Sequence, residues 1–559
     1  MGTLGLDINT GLFLGIDFGT TNCVVSIYNF EDGQPQTIPI DGSNIFPTAI
    51  QFEPDSEEED KLARVFGIQA KEAAIIYPQA TVLSIKRLLG TGEKVEIIVG
   101  DEKYNFSPEQ VCGEILNYLK QKADEYVQEE LMLGASFSGC VITVPANSTD
   151  KQKKMTKQAA VLAGFNEDSV YLRLEPAAAA ISYAVNETKD KKVLVYDFGG
   201  GTFDACVLDI KGSDEGEPSI SILSTYGENN LGGNDIDKII MDIIYEEFKK
   251  QTDEEIDLFD DNTEEGVSLR QKKVARVRLE QVANVAKERL SQAKSTKVVL
   301  APFIQEPKIV NISMDITRED FNLHRRVNQL GDTDEHFERL IGKNLIDMVD
   351  ITLKCIDSCI EAANIRNEDI DEIFLVGGSS AVSLVSEAIA AKFNKEPYKS
   401  RISPALSISQ GAAYYCNMIM TPTVKGPVVK ETTIHPLGLE ISGRRFVEVV
   451  SAGIEIPKEG LVVEANELLT TNFDNVSSMA IVVYEDTLPS KEARVKTVNA
   501  EGMKRLAGTS LRGIPKAEKG EEKVKVIFHV GQDNMLKVQA ISTSEGGIET
   551  ELTVDELYE

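Results

Sequence analysis

At 559 residues the chain is long enough for two or more domains, each with its own core. Its formal net charge of −32 argues against a nucleic-acid or anionic-membrane partner, whose phosphates would be repelled. Apolar residues make up 42% of the chain, yet no stretch approaches the roughly 20 apolar residues of a membrane helix. The opening MGTLGLDINTGLFLG has no basic region and carries Asp7, so it does not read as a secretory signal. Leu6 stands where myristoylation needs Ser or Thr. The seven scattered cysteines have no zinc spacing, and none has a histidine near it. They read as reduced core thiols of a soluble, cytoplasmic chain.

In chain order, the first clear element is Phe13 to Asp17, an apolar strand ending in an acid, followed by Phe18, Gly19, Thr20, Thr21 and Asn22. A second strand is expected over Ile45 to Phe52. Thr81 to Gly90, TVLSIKRLLG, reads as an amphipathic helix with Lys86 and Arg87 as a surface pair. Ser107, Pro108 and Gln110 form the start signal of a helix, as N-cap, first residue and capping-box partner. Val111, Ile115, Leu119 and Tyr126 mark its apolar face. Cys140 to Val144 reads as a short buried strand ending at Pro145. Asp150 is expected to cap a helix running to Gly164. Glu175 and Pro176 open an alanine-rich helix whose small Ala177 to Ala180 permit close packing.

Val193 to Asp204, VLVYDFGGGTFD, repeats the first pattern. An apolar strand ends at Asp197, Gly199, Gly200 and Gly201 follow, then Thr202 and Asp204. Such a turn brings backbone amides close to phosphate oxygens with no Cβ in the way. Carboxylates beside it are compatible with a polyphosphate when a divalent cation sits between them. Glycine clusters are also common in plain hairpins, so one turn alone decides little. Asp-Phe-Gly, however, occurs at two strand ends about 180 residues apart, which suggests two similar α/β halves facing one nucleotide. A third turn, Ile373 to Ser380, holds Gly377, Gly378 and Ser379.

Gly232 and Gly233, in LGGNDID, start another helix, and Arg270 to Lys294 reads as a long amphipathic helix with Val274, Val277, Val282, Val285 and Leu290. The acidic runs Asp55 to Asp60 and Asp253 to Glu265 read as solvated loops. Pro422 to Thr433 has linker composition. From Pro436 onward, short alternating strands at regular spacing give a β-sandwich signature: Phe446 to Val450, Ala480 to Tyr484, Val524 to Val530 and Leu536 to Ile541.

Taken together, GIDFGTTN, ITVPA, LEPAAAAISYA, DFGGGTFD, LGGNDID, LVGGSS and QGAA resemble, in order and spacing, the nucleotide-binding domain of the Hsp70 chaperones, within the actin/hexokinase/Hsp70 ATPase superfamily. The fold this resemblance implies is α/β: a two-lobed actin-like ATPase domain of duplicated ribonuclease-H-like halves, followed by a small all-β sandwich. The implied boundaries are 1–420 for the ATPase domain, with lobes of about 1–187 and 188–420, then 421–435 for the linker and 436–559 for the sandwich. The family normally continues into a helical lid. Here Thr553 to Tyr558 reads as at most the start of a helix, so a lidless molecule is expected.

The resemblance also implies roles. Backbone amides of the Gly19, Thr20, Thr21 and Asn22 turn and the Gly199, Gly200, Gly201 and Thr202 turn cradle the ATP or ADP phosphates. Gly232, Gly233, Gly377, Gly378 and Ser379 complete the cofactor site. Lys86 neutralises charge and helps hold the attacking water, while Asp17, Glu175 and Asp197 bind Mg²⁺ through its waters. Thr202 supplies a hydroxyl beside Asp204, which lies near the water or a K⁺ ion. Lys287 and Ser291 match adenosine contacts, whereas Asn284, Ala381 and Ala405 depart from the family's Glu, Arg and Asp, implying looser base recognition. Lys153 matches a basic residue, usually arginine, that couples nucleotide state to the second domain. In the sandwich, Leu439, Met479 and Ile481 match the lining of a peptide pocket, with Ser442 and Asn472 at the positions that arch over the peptide. Implied partners are extended apolar peptides of unfolded proteins, J-domain proteins and nucleotide-exchange co-chaperones. An ATP-binding, weakly hydrolysing partner or scaffold protein is the alternative, and a small-molecule kinase on the same fold ranks third because it has no use for a peptide sandwich.

Overall fold

The computed structural model describes residues 12–553 apart from 56–61, 132–133, 185–187, 213–217, 254, 262–265, 399–402, 422–427, 488–495, 501 and 544–548. Most of Asp55 to Asp60, the start of the linker and nearly all of Thr553 to Tyr558 therefore lie outside the described residues.

The first half is built on β1 (Leu12–Phe18), β2 (Asn22–Asn29), β3 (Gln34–Ile38), β4 (Phe137–Val144) and β5 (Val170–Leu174), ordered β5-β4-β1-β2-β3. β1 runs parallel to β4 and antiparallel to β2. Six of its seven residues are buried, so it reads as an unbroken apolar run. Helices α1 (Pro108–Glu129), α2 (Asp150–Leu162) and α3 (Glu175–Ala184) follow the helix signals in the sequence. Ser107 and Gln110 make the expected capping box on α1. On α2 the cap is Thr149 rather than Asp150, because the Thr149 hydroxyl accepts from the Gln152 amide while Asp150 occupies the first helical position.

The second half repeats the plan. β6 (Lys191–Phe198), β7 (Phe203–Lys211), β8 (Ser219–Glu228), β9 (Glu372–Val376) and β10 (Val428–Lys430) are ordered β9-β6-β7-β8-β10. Here β6 runs parallel to β9 and antiparallel to β7, as β1 does between β4 and β2. Around this sheet lie α4 (Gly233–Gln251), α5 (Leu269–Gln292) and α6 (Leu345–Ala362). The buried stripe of α5 is Ala275, Leu279, Ala283, Ala286 and Leu290. The valines expected there flank it, and Val285 is exposed. Helical spacing alone does not say which of two adjacent stripes faces inward. Thr81 to Gly90 is not the amphipathic helix expected: Thr81–Leu83 is a strand, Ser84 is left-handed at φ 55, and only Ile85–Leu88 makes a 3₁₀ turn.

The last helix before the linker, α7 (Ser407–Met420), returns to the first half and packs on β1 and α3. Small residues make this possible. Ala177 to Ala180 are fully buried, and a Cβ added at Gly411 would lie 1.8 Å from the Ala178 carbonyl oxygen.

Part of the expected linker is a strand. β10 pairs in parallel with Ser219–Ser221 of β8, and Thr432 donates from its hydroxyl to the Ile222 carbonyl. Beyond it stand two sheets. One orders Arg445–Val450, Leu437–Ile441, Ser478–Asp486 and Met503–Arg512; the other orders Leu461–Glu464, Lys523–Val530, Leu536–Ser542 and Glu549–Thr553. Glu549–Thr553 ends the described chain as a strand. Leu439 and Ile481 are buried in the sandwich core with Met479 packed against it. Asn472 and Ser442 are exposed. All seven cysteines are free thiols, and six are buried.

Gly411→Ala is expected to destabilise the first half by about 1–3 kcal/mol through the clash with Ala178. Denaturant titration followed by a reporter in that half would show it, and an unchanged midpoint would contradict the packing.

Candidate nucleotide site

The two pseudo-equivalent strands β1 and β6 end side by side, with Asp17 and Asp197 at their tips. Asp204 stands opposite Asp197 in the antiparallel register of β6 and β7. The glycine turns between the strands interlock. A Cβ at Gly200 would lie 2.1 Å from Thr21 Oγ1, and one at Gly201 would lie 2.8 Å from Thr20 Oγ1. Gly233 and Asn234 donate backbone N–H groups to the carbonyls of Gly199 and Gly200, both at 2.9 Å. Ser379 Oγ donates to the Gly199 carbonyl at 2.8 Å, and Gly377, at φ +78, sits over the Phe198 carbonyl. Thr48 Oγ1 donates to the carbonyl of Gly19. The structure thus gathers all four expected turns around one region, with Gly378 facing open space and Asn22 starting β2 just behind.

Lys86 reaches this region from its 3₁₀ turn and pairs with Glu175, the first residue of α3, at 3.0 Å. Burial, then repulsion from Glu175, raises the Asp17 carboxyl from 3.8 to about 7, against the opposing pull of Lys86. Burial, with Glu175 next, raises Asp204 to about 8. Asp197 is pushed well above the carboxylate range by burial and by Glu175, Asp204 and Asp17. Burial works against the charge on Lys86, but Glu175 and Asp17 outweigh it and raise its pKa. Four carboxylates therefore crowd one ammonium group. Asp197 Oδ2 is buried with no hydrogen-bond partner among the described residues. An all-oxygen, net-negative, under-satisfied donor set fits a hard divalent cation. Among the described residues no three such side chains converge closely enough to ligate an ion directly.

Lys287 is placed beside the turns but is engaged. Its Nζ donates to Asp237 at 2.9 Å and to the Gly233 carbonyl at 3.0 Å, while Asn284 donates to the same Asp237 oxygen. The hydroxyl of Ser291 is turned onto its own helix, donating to the Lys287 carbonyl.

Several residues were missed from sequence. Asn234 takes a hydrogen bond from Thr21 and donates to Ser84, joining both halves. Arg87, expected at the surface, pairs across the cleft with fully buried Asp235, which also bonds His336. Asn234 and Asp235 lie inside LGGNDID, so the motif carried a signal; His336 carried none. Asn147 donates to Asp204 at 3.1 Å from a loop in which only Pro145 drew notice.

A family model described as "Hsp70 protein" matches residues 13–558. The chain belongs to the Hsp70 family. The "Chaperone protein DnaK" of Thermotoga petrophila and that of Thermotoga neapolitana are each 33% identical to it over 540 residues, covering 95% of this chain and 78% of the relative. Family membership supports a chaperone role. In this Hsp70 member the sandwich is seated against the first half. Lys153 donates to the Asn534 carbonyl at 3.3 Å, and Asp150 accepts from the Leu536 amide at 3.1 Å. Glu431 of the linker is buried against Tyr415 and Arg173. No helix among the described residues is long and apolar enough to cross a membrane.

Gly200→Ala is expected to weaken nucleotide binding about tenfold or more, because its methyl would collide with Thr21 and part the two turns. Equilibrium binding of a fluorescent adenine nucleotide would measure this. Protonation of Asp17 lends stability that is complete below its ordinary 3.8 and is lost as pH rises through about 7. Asp17→Asn should therefore raise the melting temperature of the nucleotide-free protein at about pH 8 and raise it less at about pH 5. An equal effect at both would show that Asp17 titrates normally.

Proposed function

We propose that the chain binds ATP and hydrolyses it to ADP and phosphate, and couples nucleotide state to the capture of extended apolar peptide segments. The observation that carries this reading is the convergence of Asp17, Lys86, Glu175, Asp197 and Asp204 between interlocked glycine turns from two halves. We assign residues 1–420 to the ATPase domain, 421–435 to the linker and 436–559 to the peptide-binding sandwich.

Phosphoryl transfer to water demands positioning and charge neutralisation rather than covalent chemistry. Backbone amides of Thr20, Thr21, Gly200, Gly201 and Thr202 hold the β and γ phosphates. Lys86, kept charged by Glu175, neutralises the γ-phosphate and orients the water. Asp17, Glu175 and Asp197 would hold Mg²⁺ through its waters, and Asp204 would hold the water or a K⁺ ion. Bound Mg²⁺ supplies neutralisation of the phosphate oxygens. The protein would work in the cytoplasm with J-domain and nucleotide-exchange co-chaperones, gripping clients by main-chain hydrogen bonds along the sandwich.

A second reading, an ATP-binding partner or scaffold that hydrolyses weakly, is favoured by one observation: Lys287 is engaged by Asp237 and Gly233 rather than left for the nucleoside.

Single-turnover hydrolysis separates the two. Lys86→Ala and Thr202→Val are expected to slow hydrolysis about 100-fold with modest change in ATP affinity, and an unfolded peptide should stimulate the wild type. Wild-type rates in both variants would remove these roles. Tight ATP binding without turnover would favour the scaffold.

A further inference from the structure

The loop after β4 joins the phosphate site to the sandwich. Pro145 to Ser148 form a turn closed by a 3.1 Å bond from the Ser148 amide to the Pro145 carbonyl. That turn aims Asn147 at the second half, where its Nδ2 donates to Asp204 Oδ1 at 3.1 Å. The main-chain amides of Ala146 and Asn147 also bond this carboxylate. The Asn147 carbonyl is in turn held by Asn229 Nδ2 at 3.0 Å.

Space for the bond is kept free by a glycine on the neighbouring strand. A Cβ at Gly227 would stand 2.5 Å from Asn147 Nδ2 and 2.9 Å from Asp204 Oδ1. Any side chain there would occupy the line between the two groups. Asn147 also faces outward. It lines a cavity of about 590 Å³ enclosed by α6, the linker and the sandwich, together with Tyr226, Cys355, His435 and Leu506. Two residues further on, Thr149 caps α2, whose Asp150 and Lys153 hold the Asn534–Leu536 turn of the sandwich.

We propose that Asn147 is a positioning residue for the hydrolysis: its side-chain amide fixes the orientation in which Asp204 is presented to the phosphate site, from a loop that also forms the wall of the interdomain cavity. A carboxylate has two equivalent oxygens and rotates freely unless one is claimed. Asn147 claims Oδ1, and together with the main-chain amides of Ala146 and Asn147 it holds the carboxylate in one orientation. This rests on the ATPase reading above, and it deepens that reading by naming what orients one of its acids.

The test is single-turnover ATP hydrolysis by the full chain, with ATP affinity measured in parallel. Asn147→Leu is expected to lower the rate about tenfold and shift ATP affinity by less than about twofold, since it disturbs alignment rather than binding. Asn147→Asp keeps the shape but cannot donate, and should lose at least as much; it decides the matter if the leucine variant melts early. In an Asp204→Ala background, Asn147→Leu should change the rate by less than about twofold, because the two act as a unit. A structural role would give the same loss in both backgrounds and would overturn the proposal, as would a wild-type rate for Asn147→Asp. If the wild type hydrolyses no ATP, the ATPase reading itself has failed. If it does, and Asp204→Ala slows it while the Asn147 variants do not, only this inference falls.

Discussion

The structure is organised by an electrostatic conflict. Glu175, Asp197 and Asp204 are buried, and half-buried Asp17 and Lys86 join them in one cluster, with Lys86 as the ammonium among the described residues there. Burial penalises each charge, and each charge raises the others. Among the described residues nothing resolves this, since Asp197 keeps a buried oxygen with no hydrogen-bond partner there. Such a cluster is tolerated because the surrounding fold over-determines it: two sheets end at the same place, on strands that are largely buried. A cation placed among these carboxylates would offset their mutual repulsion.

Glycine makes the convergence geometrically possible. The turns touch backbone to backbone or backbone to hydroxyl at distances that no Cβ could share, at Gly200, Gly201, Gly232, Gly233 and Gly377. Because each turn leans on the next, a shift in one half is felt in the other. Asn234 and the Arg87–Asp235 pair close the same cleft at its rim. Lys86 is therefore placed by both halves at once: its own turn is anchored across the cleft by its neighbour Arg87, and its ammonium is held by Glu175.

The second domain is joined through specific polar contacts as well as apolar ones from Val429 and Ile434. β10 extends the second sheet by a strand, and Glu431 is buried against Tyr415 and Arg173. Arg173 also lies over the Tyr415 ring. Lys153 and Asp150 complete the seating through main-chain groups of the Asn534–Leu536 turn. Contacts made to backbone groups do not depend on which side chains the partner carries. Lysine serves at position 153 because its ammonium meets the Asn534 carbonyl and the Asp150 carboxylate as a point charge, which needs no planar fork.

Local signals in the sequence were sufficient for the architecture. Apolar runs ending in Asp-Phe-Gly, the Ser107 capping signal and the alternating strands after Pro436 each depend on near neighbours, and each formed as read. The glycine turns were legible because phosphate-binding chemistry needs those residue types contiguously. What only the tertiary structure decided are relations between distant segments. Which stripe of α5 is buried, how deeply Leu439 and Ile481 sit, and whether the linker is free or a strand all depend on what packs opposite. Arg87 is not a surface residue because Asp235, 148 positions away, stands across the cleft. Asn147 sits in an ordinary polar loop until the second half brings Asp204 to it. A hydrogen bond between residues far apart in the chain leaves no period and no local composition, so it becomes visible only when the two halves meet.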